Sequence, residues 1–302
     1  MDGYIGIAAA LTAAGSWALA SVLFKGLSEE NGAVALTYAK AVVCSLILLG
    51  IVLLFRIDFP GPKEAALLVS SGIVGILIGD ICFFKALRHL TPQALVVLLV
   101  CGQVLTAILA LIVLGENVAA PVWGGLALVL LGLYFMMMPG PEEVANKSEE
   151  AMSSRHSSLS GLFWGALSIL CMAVSMVIAK PALEANSTLC ATLLRMTPAA
   201  VGLFFIGLLS QNLPEWHKPI VDRRYRKMFF LAALVITFGG FWMSMVAIKN
   251  APVAVAGVLM STEPLFVLPF VAIVQKKRIR LSEYGGAVLT TVGLILVTLF
   301  TQ

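Results

Sequence analysis

Ten long apolar runs dominate the sequence and decide what the chain can fold into. A helix must contain about 20 mostly apolar residues to cross the hydrocarbon layer of a bilayer, which is about 30 Å thick. The runs lie near residues 3–24, 33–55, 65–87, 93–114, 121–138, 160–180, 189–209, 228–248, 252–274 and 284–300. Because a bilayer offers backbone groups no water, such runs satisfy their hydrogen bonds by forming helices. The sequence therefore predicts an all-α integral membrane protein with ten transmembrane helices.

The composition agrees with a chain whose surface faces lipid. Charged residues make up 12% of the 302 residues, about half the share of an ordinary soluble domain. The lipid bilayer is therefore an expected partner, in a cell membrane that is either inner or plasma. The cations sit in short connectors and form no folded basic face, so nucleic-acid binding is not expected. No Lys or Arg precedes the first run, which is also too long for a signal peptide, so we expect a retained first helix.

Nothing in the sequence indicates a metal site or a cofactor. The five cysteines fall in or beside apolar runs, form no C-x-x-C pair, and meet no histidine within a span. We interpret them as small apolar side chains in packed helices. They are Cys44, Cys82, Cys101, Cys171 and Cys190.

Two apolar runs end in the same polar phrase, ASVLFKGLSEEN at 20–31 and SMVIAKPALEAN at 175–186. A constant offset of 155 aligns Lys25 with Lys180, Glu29 with Glu184, and Asn31 with Asn186. A Pro-, Ser- and Glu-rich linker at 139–159 divides the chain into two five-helix units, 1–138 and 160–302. Because each unit has an odd number of spans, the second enters the membrane in the opposite direction. Such inverted repeats build many secondary transporters, with the substrate site where the halves meet.

Four charged residues stand out inside the predicted spans, away from the ends of the runs. A charge at the centre of a membrane helix costs about 2.5–3.5 kcal/mol, so we expect each to be paired or to face a wet cavity. They form either ion bridges that lock helices together or a polar lining that meets substrate, a coupling proton or both. For Asp80, a pair with Lys40 or Lys85 is the structural alternative. The four are Lys40, Asp80, Arg195 and Glu263.

Glu263 is the stronger candidate for carrying a proton. It sits well within its span and directly precedes Pro264. A proline removes a backbone donor and can open the helix, which leaves free carbonyls near the carboxylate.

Other polar and aromatic residues in the runs have two interpretations each. Trp17 and Trp242 lie too deep for an interfacial belt, so they either pack in the core or contact substrate. Gln103 is a buried amide that needs a partner in either case. Lys25 and Lys180 come at helix ends, where the ammonium can reach water or act as a gate.

The order of several motifs resembles that of a known family. Residues 83–135, with Gly115-Glu116 before a glycine-rich last helix, look like the end of one repeat, and residues 261–297 look like the matching part of a second. Together with Lys40 and Arg195, these segments resemble the drug/metabolite transporter superfamily, in its ten-span EamA-type branch. The resemblance implies export or exchange of small metabolites, often amino acids, without ATP.

The chain also departs from the family pattern. Gln275-Lys276-Lys277 stands where the family tends to have Gly-Glu, so we interpret Glu116 as a helix-end residue. The first span holds no acid, so the proton-coupling glutamate of the small multidrug resistance relatives has no counterpart here.

The functional prediction is a secondary active transporter that works by alternating access and is coupled to protons. The alternatives are a non-transporting membrane receptor or scaffold and an intramembrane enzyme. An enzyme is disfavoured because Asp80 is the one aspartate in a span, so no aspartyl dyad can form, and no H-E-x-x-H occurs. No P-loop motif occurs either. With both repeats in one chain, the protein is expected to be a monomer or a homodimer that handles a small-molecule substrate.

The distribution of positive charge and the family resemblance disagree about orientation. When Lys85 and Lys180, at the ends of their runs, are counted with the connectors that follow them, fourteen of the 20 Lys and Arg residues belong to the connectors after spans 1, 3, 5, 7 and 9, and four belong to the others. Because positive connectors favour the cytoplasm, the charge count places both termini outside. The family is generally drawn with both termini in the cytoplasm.

Overall fold

Helices account for nearly all of the chain that the computed structural model describes, which comprises residues 2–31, 33–87, 89–90, 92–116, 118–137, 155–267 and 280–300. The helices are α1 (Asp2–Asn31), α2 (Ala33–Leu54), α3 (Pro62–Gly72, Ile73–Gly79 and Asp80–Leu87), α4 (Pro92–Leu109 and Ala110–Leu114), α5 (Ala120–Met137), α6 (Arg155–Leu183), α7 (Thr188–Leu209), α8 (Arg223–Leu234, Val235–Trp242 and Met243–Asn250), α9 (from Val253–Met260) and α10 (Leu281–Phe300). Two short helices, Leu213–Trp216 and Lys218–Val221, lie between α7 and α8.

The predicted apolar runs are confirmed as helices wherever the structure describes them, and residues 268–274 of the ninth run lie outside the described part. Among the described residues, seven helices are long and apolar enough to cross a membrane, and three shorter apolar stretches belong to α4, α5 and α9. Large apolar side chains such as Leu53, Ile112 and Leu209 are more than half exposed on the outside of the bundle, which is the surface expected to meet lipid. Helix α6 begins at Arg155, inside the linker predicted at 139–159, and residues 138–154 lie outside the described part.

The last helices of the two repeats, α5 and α10, pack directly against each other. A Cβ atom added to Gly286 would lie 2.5 Å from the carbonyl oxygen of Gly132, and one added to Gly293 would lie 2.6 Å from that of Gly125. Small residues allow membrane helices to approach this closely. Because the residue numbers rise along α5 and fall along α10 at these contacts, the two helices are antiparallel.

The second helices of the repeats, α2 and α7, are also paired. Tyr38 packs in one apolar cluster with Leu203, and Leu48 packs in another with Leu193. The two helices therefore run in opposite directions as well. Equivalent helices that meet antiparallel are what two inverted five-helix repeats require, so this architecture is confirmed.

The remaining helices connect the repeats crosswise. Helix α1 packs against α8 and α9, while α6 packs against α3 and α4. Gly239 of α8 faces Ser16 of α1, and Gly79 of α3 faces Met172 of α6, with 3.4 Å from its added Cβ to Met172 Cγ. Each repeat thus contributes its first helix to the other repeat, and the interior of the bundle belongs to both.

Two adjacent glycines of α5 provide a test of the α5–α10 contact. A Cβ added to Gly125 would lie 2.9 Å from the Gly293 carbonyl oxygen, whereas Gly124 has nothing within 4 Å. We expect Gly125→Ala to lower stability by about 1–3 kcal/mol, the cost of overpacking. Gly124→Ala is expected to be neutral or stabilising, because alanine is the better helix former. Thermal unfolding of the purified protein in detergent checks both, and equal melting temperatures for the two variants would contradict the observed contact.

Candidate functional site

Helices α3 and α8 each contain a stretch of π-type turns near the middle of the bundle. These stretches are Ile73–Gly79 and Val235–Trp242. At the offset of 160 that aligns Gly79 with Gly239, the two occupy nearly equivalent positions in the two repeats. Wider turns of this kind occur frequently at functional sites. The sequence analysis did not predict them, although the glycines in both stretches were a signal of irregular helix packing.

An aromatic and cationic cluster lies where α1 and α2 meet the π-type stretch of α8. The Lys40 ammonium is 5.0 Å from the centroid of the Phe241 ring, which is a cation–π contact. Trp17 joins Phe241 in the same apolar cluster, and its Nε1 lies 2.5 Å from the Cβ position of Gly240. Cys44, a buried member of this apolar cluster, is hydrogen bonded to Thr237 of α8, with 2.7 Å between Sγ and Oγ1.

Asp80 follows the π-type stretch of α3, and the charge that acts on its carboxylate is that of Lys40. Lys85, the other partner considered from the sequence, instead lies over the Trp164 ring at 3.9 Å. Asp80 and Lys40 do not come within ion-pair distance of 4.0 Å in the described chain. The two charges are therefore neighbours in the interior that are not locked together by direct contact.

Arg195 lies apart from this cluster, where α3, α6, α7 and α8 converge. Its guanidinium donates to Ser175 Oγ and to Met245 Sδ, each at 3.0 Å, and its side chain is 7% exposed. Among the described residues it forms no ion pair. A paired charge or a wet cavity was predicted for this arginine, whereas the serine that it meets was not predicted.

Gln103 and Trp242 differ in how their polar atoms are satisfied. Trp242 Nε1 donates to Thr188 Oγ1 at 2.9 Å, so this tryptophan ties α8 to the first turn of α7. The buried Gln103 Oε1 has no hydrogen-bond partner in the described chain and lies 3.1 Å from the Cβ position of Gly257 in α9. The partner predicted for Gln103 is therefore not found for this oxygen among the described residues.

The turn between α8 and α9 is held by two charged side chains, one from α6 and one from the connector between α4 and α5. Lys180 Nζ donates to the carbonyl oxygens of Ile248 at 2.6 Å and Ala251 at 2.8 Å. Glu116 Oε1 accepts from the backbone N–H of Val253 at 2.8 Å. Lys180 thus caps the end of α8, and Glu116 caps the start of α9. Lys25 aligns with Lys180 at the offset of 155 between the two repeats. Its side chain lies outside the described part of the chain.

Helix α9 is interrupted immediately before Glu263. Its first segment ends at Met260, a turn occupies Ser261 and Thr262, and the helix resumes at 263–267. Pro264 lacks an N–H and clashes with the carbonyl four residues earlier, which is a physical reason for a break at this place. Glu263 is half-buried at the resumed end.

Comparison with known proteins assigns the chain to a family. The model of the EamA-like transporter family matches residues 4–138 and 159–299, which are two segments that cover nearly the whole sequence. The chain belongs to the EamA-like transporter family. A solved structure described as "Crystal structure of protein" superposes with a TM-score of 0.70 over 99% of this chain and 98% of that one, at 15% identity. At that identity the likeness shows the fold alone. No curated protein matches.

This EamA-like transporter brings several predicted site residues together and separates others. Trp17 and Lys40 share one region between α1, α2 and α8, and Asp80 of α3 is within electrostatic range of Lys40. Arg195 lies against α6, and Lys180 lies at the α8–α9 turn. Ser71, Ser175 and Phe241 were missed, because serine and phenylalanine are common in membrane helices and carry no signal without a neighbour. No group of three or more potential metal ligands occurs in the part of the chain that the structure describes.

Proposed function

We propose that this chain is a secondary active transporter of small metabolites that works by alternating access and is coupled to protons. The observation that supports it best is the equivalent placement of two π-type stretches, Ile73–Gly79 and Val235–Trp242, each packed against the first helix of the opposite repeat. A helix with irregular turns can change its local packing without losing its whole hydrogen-bond ladder. Two such helices in inverted repeats supply the paired hinges that alternating access requires.

We place the transport pathway between two pairs of packed helices from opposite repeats. One pair is α1 with α8, and the other is α6 with α3. Trp17, Lys40 and Asp80 line the part that lies beside α8, and Trp242 and Gln103 lie near its edges. The unsatisfied Gln103 oxygen supports this placement, because a buried polar atom without a partner is rare in packed interiors. A monomer suffices to enclose such a pathway, since both repeats belong to one chain.

Glu263 and Asp80 are the residues proposed to carry the coupling proton. Each carboxylate lies beside an irregularity of its helix, the break in α9 and the π-type stretch of α3. A carboxylate in a membrane helix is costly while charged, so its protonation can be linked to a change of helix packing. The cycle would then exchange a proton for solute across the two repeats.

Flux across reconstituted vesicles under an imposed pH gradient tests the proposal. Amino acids and small cationic compounds form the first screen. We expect gradient-driven flux in wild type and a loss of at least tenfold in Glu263→Gln and in Asp80→Asn, because neither amide can release a proton. Glu215→Gln, which changes an exposed acid on the short helix Leu213–Trp216, is the matched control and is expected to behave as wild type.

Two results would contradict parts of this proposal. Flux that ignores the pH gradient and survives both substitutions would mean a facilitator or exchanger without proton coupling. Absence of flux for every solute, from protein shown to be folded, would reject the transport function itself.

A further inference from the structure

Arg195 carries a positive charge into the protein interior without an acidic partner among the described residues. Its side chain is 7% exposed, and it lies eight residues into α7, away from the ends of the span. A charge in this position costs about 2.5–3.5 kcal/mol unless something compensates it. Lys40, at the equivalent position of the first repeat, has the nearby charge of Asp80. The second repeat provides no such acid at Arg195.

The hydrogen-bonding capacity of the guanidinium is also largely unused. A guanidinium has five N–H donors. Arg195 donates to Ser175 Oγ and Met245 Sδ, and a thioether is a weak acceptor. Arg195 Nε has no partner in the described chain although it is fully buried. The site thus presents a charged donor group that its own neighbours do not saturate.

The oxygen that orients this guanidinium is itself fixed by a reciprocal pair of hydrogen bonds. Ser175 Oγ donates to the Ser71 carbonyl and Ser71 Oγ donates to the Ser175 carbonyl, each at 2.7 Å. The pair ties α3 to α6 directly beside Arg195. Gly75, one turn further along α3, makes room for the Ser175 side chain, because a Cβ added there would clash with Ser175 Oγ and would lie 2.5 Å from Ser175 Cβ and 3.9 Å from the second terminal nitrogen of Arg195. The donors are therefore held in place next to the π-type stretch Ile73–Gly79.

We infer that Arg195 binds the carboxylate of the transported solute, an inference that rests on the proposed transport function. A carboxylate matches the fork of a guanidinium and forms two parallel charge-assisted hydrogen bonds with it. It would supply both the missing negative charge and acceptors for the unused donors. The site is sealed in the structure described here, so the solute reaches it when the π-type stretch of α3 moves away from α6. The substrate class is thus a small carboxylic acid, zwitterionic amino acids included.

Transport of matched solutes tests this assignment. Vesicles are assayed with a mixture of amino acids and with the corresponding amino acid amides, in which a neutral carboxamide replaces the carboxylate. We expect wild type to carry the acids at least tenfold faster than the amides. Arg195→Met is expected to bring this ratio close to one, while Arg195→Lys keeps part of the preference, because a lysine retains the charge without the fork. Arg223→Gln, which removes an exposed arginine at the start of α8, should keep the wild-type ratio.

Ser175→Ala provides a second variant that leaves the arginine in place. Ser175 is a positioning residue, so its loss is expected to raise KM for amino acids at least threefold with little change in kcat. Equal flux of acids and amides in wild type, or an unchanged ratio in Arg195→Met, would overturn the assignment while leaving transport intact.

A binding measurement separates this inference from the proposed function. If no solute is carried, thermal unfolding of detergent-solubilised wild type and Arg195→Met in sodium acetate and in sodium chloride, at equal ionic strength, still reports on the site. A higher Tm in acetate than in chloride for wild type but not for Arg195→Met supports a carboxylate site. Equal stabilisation by chloride, or stabilisation that persists in Arg195→Met, rejects it.

Discussion

Lys180→Met is expected to destabilise the protein by about 3 kcal/mol or more and to disrupt coupled transport. Lys180 Nζ donates to two carbonyl oxygens at the end of α8, those of Ile248 and Ala251. A hydrogen bond from a charged donor contributes about 1.5–3 kcal/mol, and a buried carbonyl left without a donor adds its desolvation cost. Methionine preserves the length of the apolar stem, so the substitution removes the ammonium without creating a large cavity.

Lys249, in the last turn of α8, provides the control for Lys180. Lys249 Nζ forms one bond, to the Asn186 carbonyl at 2.9 Å, so Lys249→Met should cost less than half as much. Thermal unfolding compares the stabilities of the two variants. Vesicle flux with and without a pH gradient shows whether the α8–α9 turn still closes this end of the bundle. We expect Lys180→Met to leak solute without proton coupling, because the α8–α9 turn closes this end of the bundle against Gly6 of α1. Equal stabilities for the two variants would show that the carbonyl contacts of Lys180 carry little energy.

The fold was predictable from the sequence because its determinants are long and repeated. Apolar length predicted the ten helices, and the duplication with an odd number of spans predicted that the second unit is inverted. The direct contact of α5 with α10 was not predicted. The π-type turns were not predictable, since hydrophobic periodicity reports which residues are apolar and not how many occupy each turn. From the sequence, Glu116 was interpreted as a helix-end residue. The structure shows that its carboxylate accepts a hydrogen bond from the backbone N–H of Val253, 137 residues later.

The candidate site was predictable in its residue types but not in its partners. Charges inside apolar runs stand out in any sequence, so Lys40, Asp80 and Arg195 could be identified. Which charge lies near which depends on how the helices pack, and this packing brings Asp80 near Lys40 within the first repeat and leaves Arg195 with a serine and a methionine. Because sequence spacing does not give these partners, the hydrogen bonding of the Arg195 guanidinium could not be anticipated.

A double-mutant cycle on Lys40 and Asp80 has the second largest expected effect. Lys40→Met alone leaves Asp80 as an uncompensated charge in the membrane interior, at a cost of about 2.5–3.5 kcal/mol. Asp80→Asn alone should cost less, because Lys40 keeps its cation–π contact with Phe241. In the double variant both charges are absent, so we expect most of the stability to return, with a coupling energy of about 1–3 kcal/mol from thermal or chemical unfolding.

Transport by the double variant separates the two interpretations of these interior charges. If Lys40 and Asp80 merely lock α2 to α3, a neutral pair that restores stability should also restore flux. If they line the pathway and Asp80 exchanges protons, the double variant should be as stable as wild type within about 1 kcal/mol and yet lack gradient-driven flux. We expect the second result, because the two groups are near enough to interact but do not form a direct ion pair. Two side chains that only hold α2 and α3 together would be in direct contact. If Asp80 instead releases a proton in each cycle, Lys40 must be able to move away from its carboxylate.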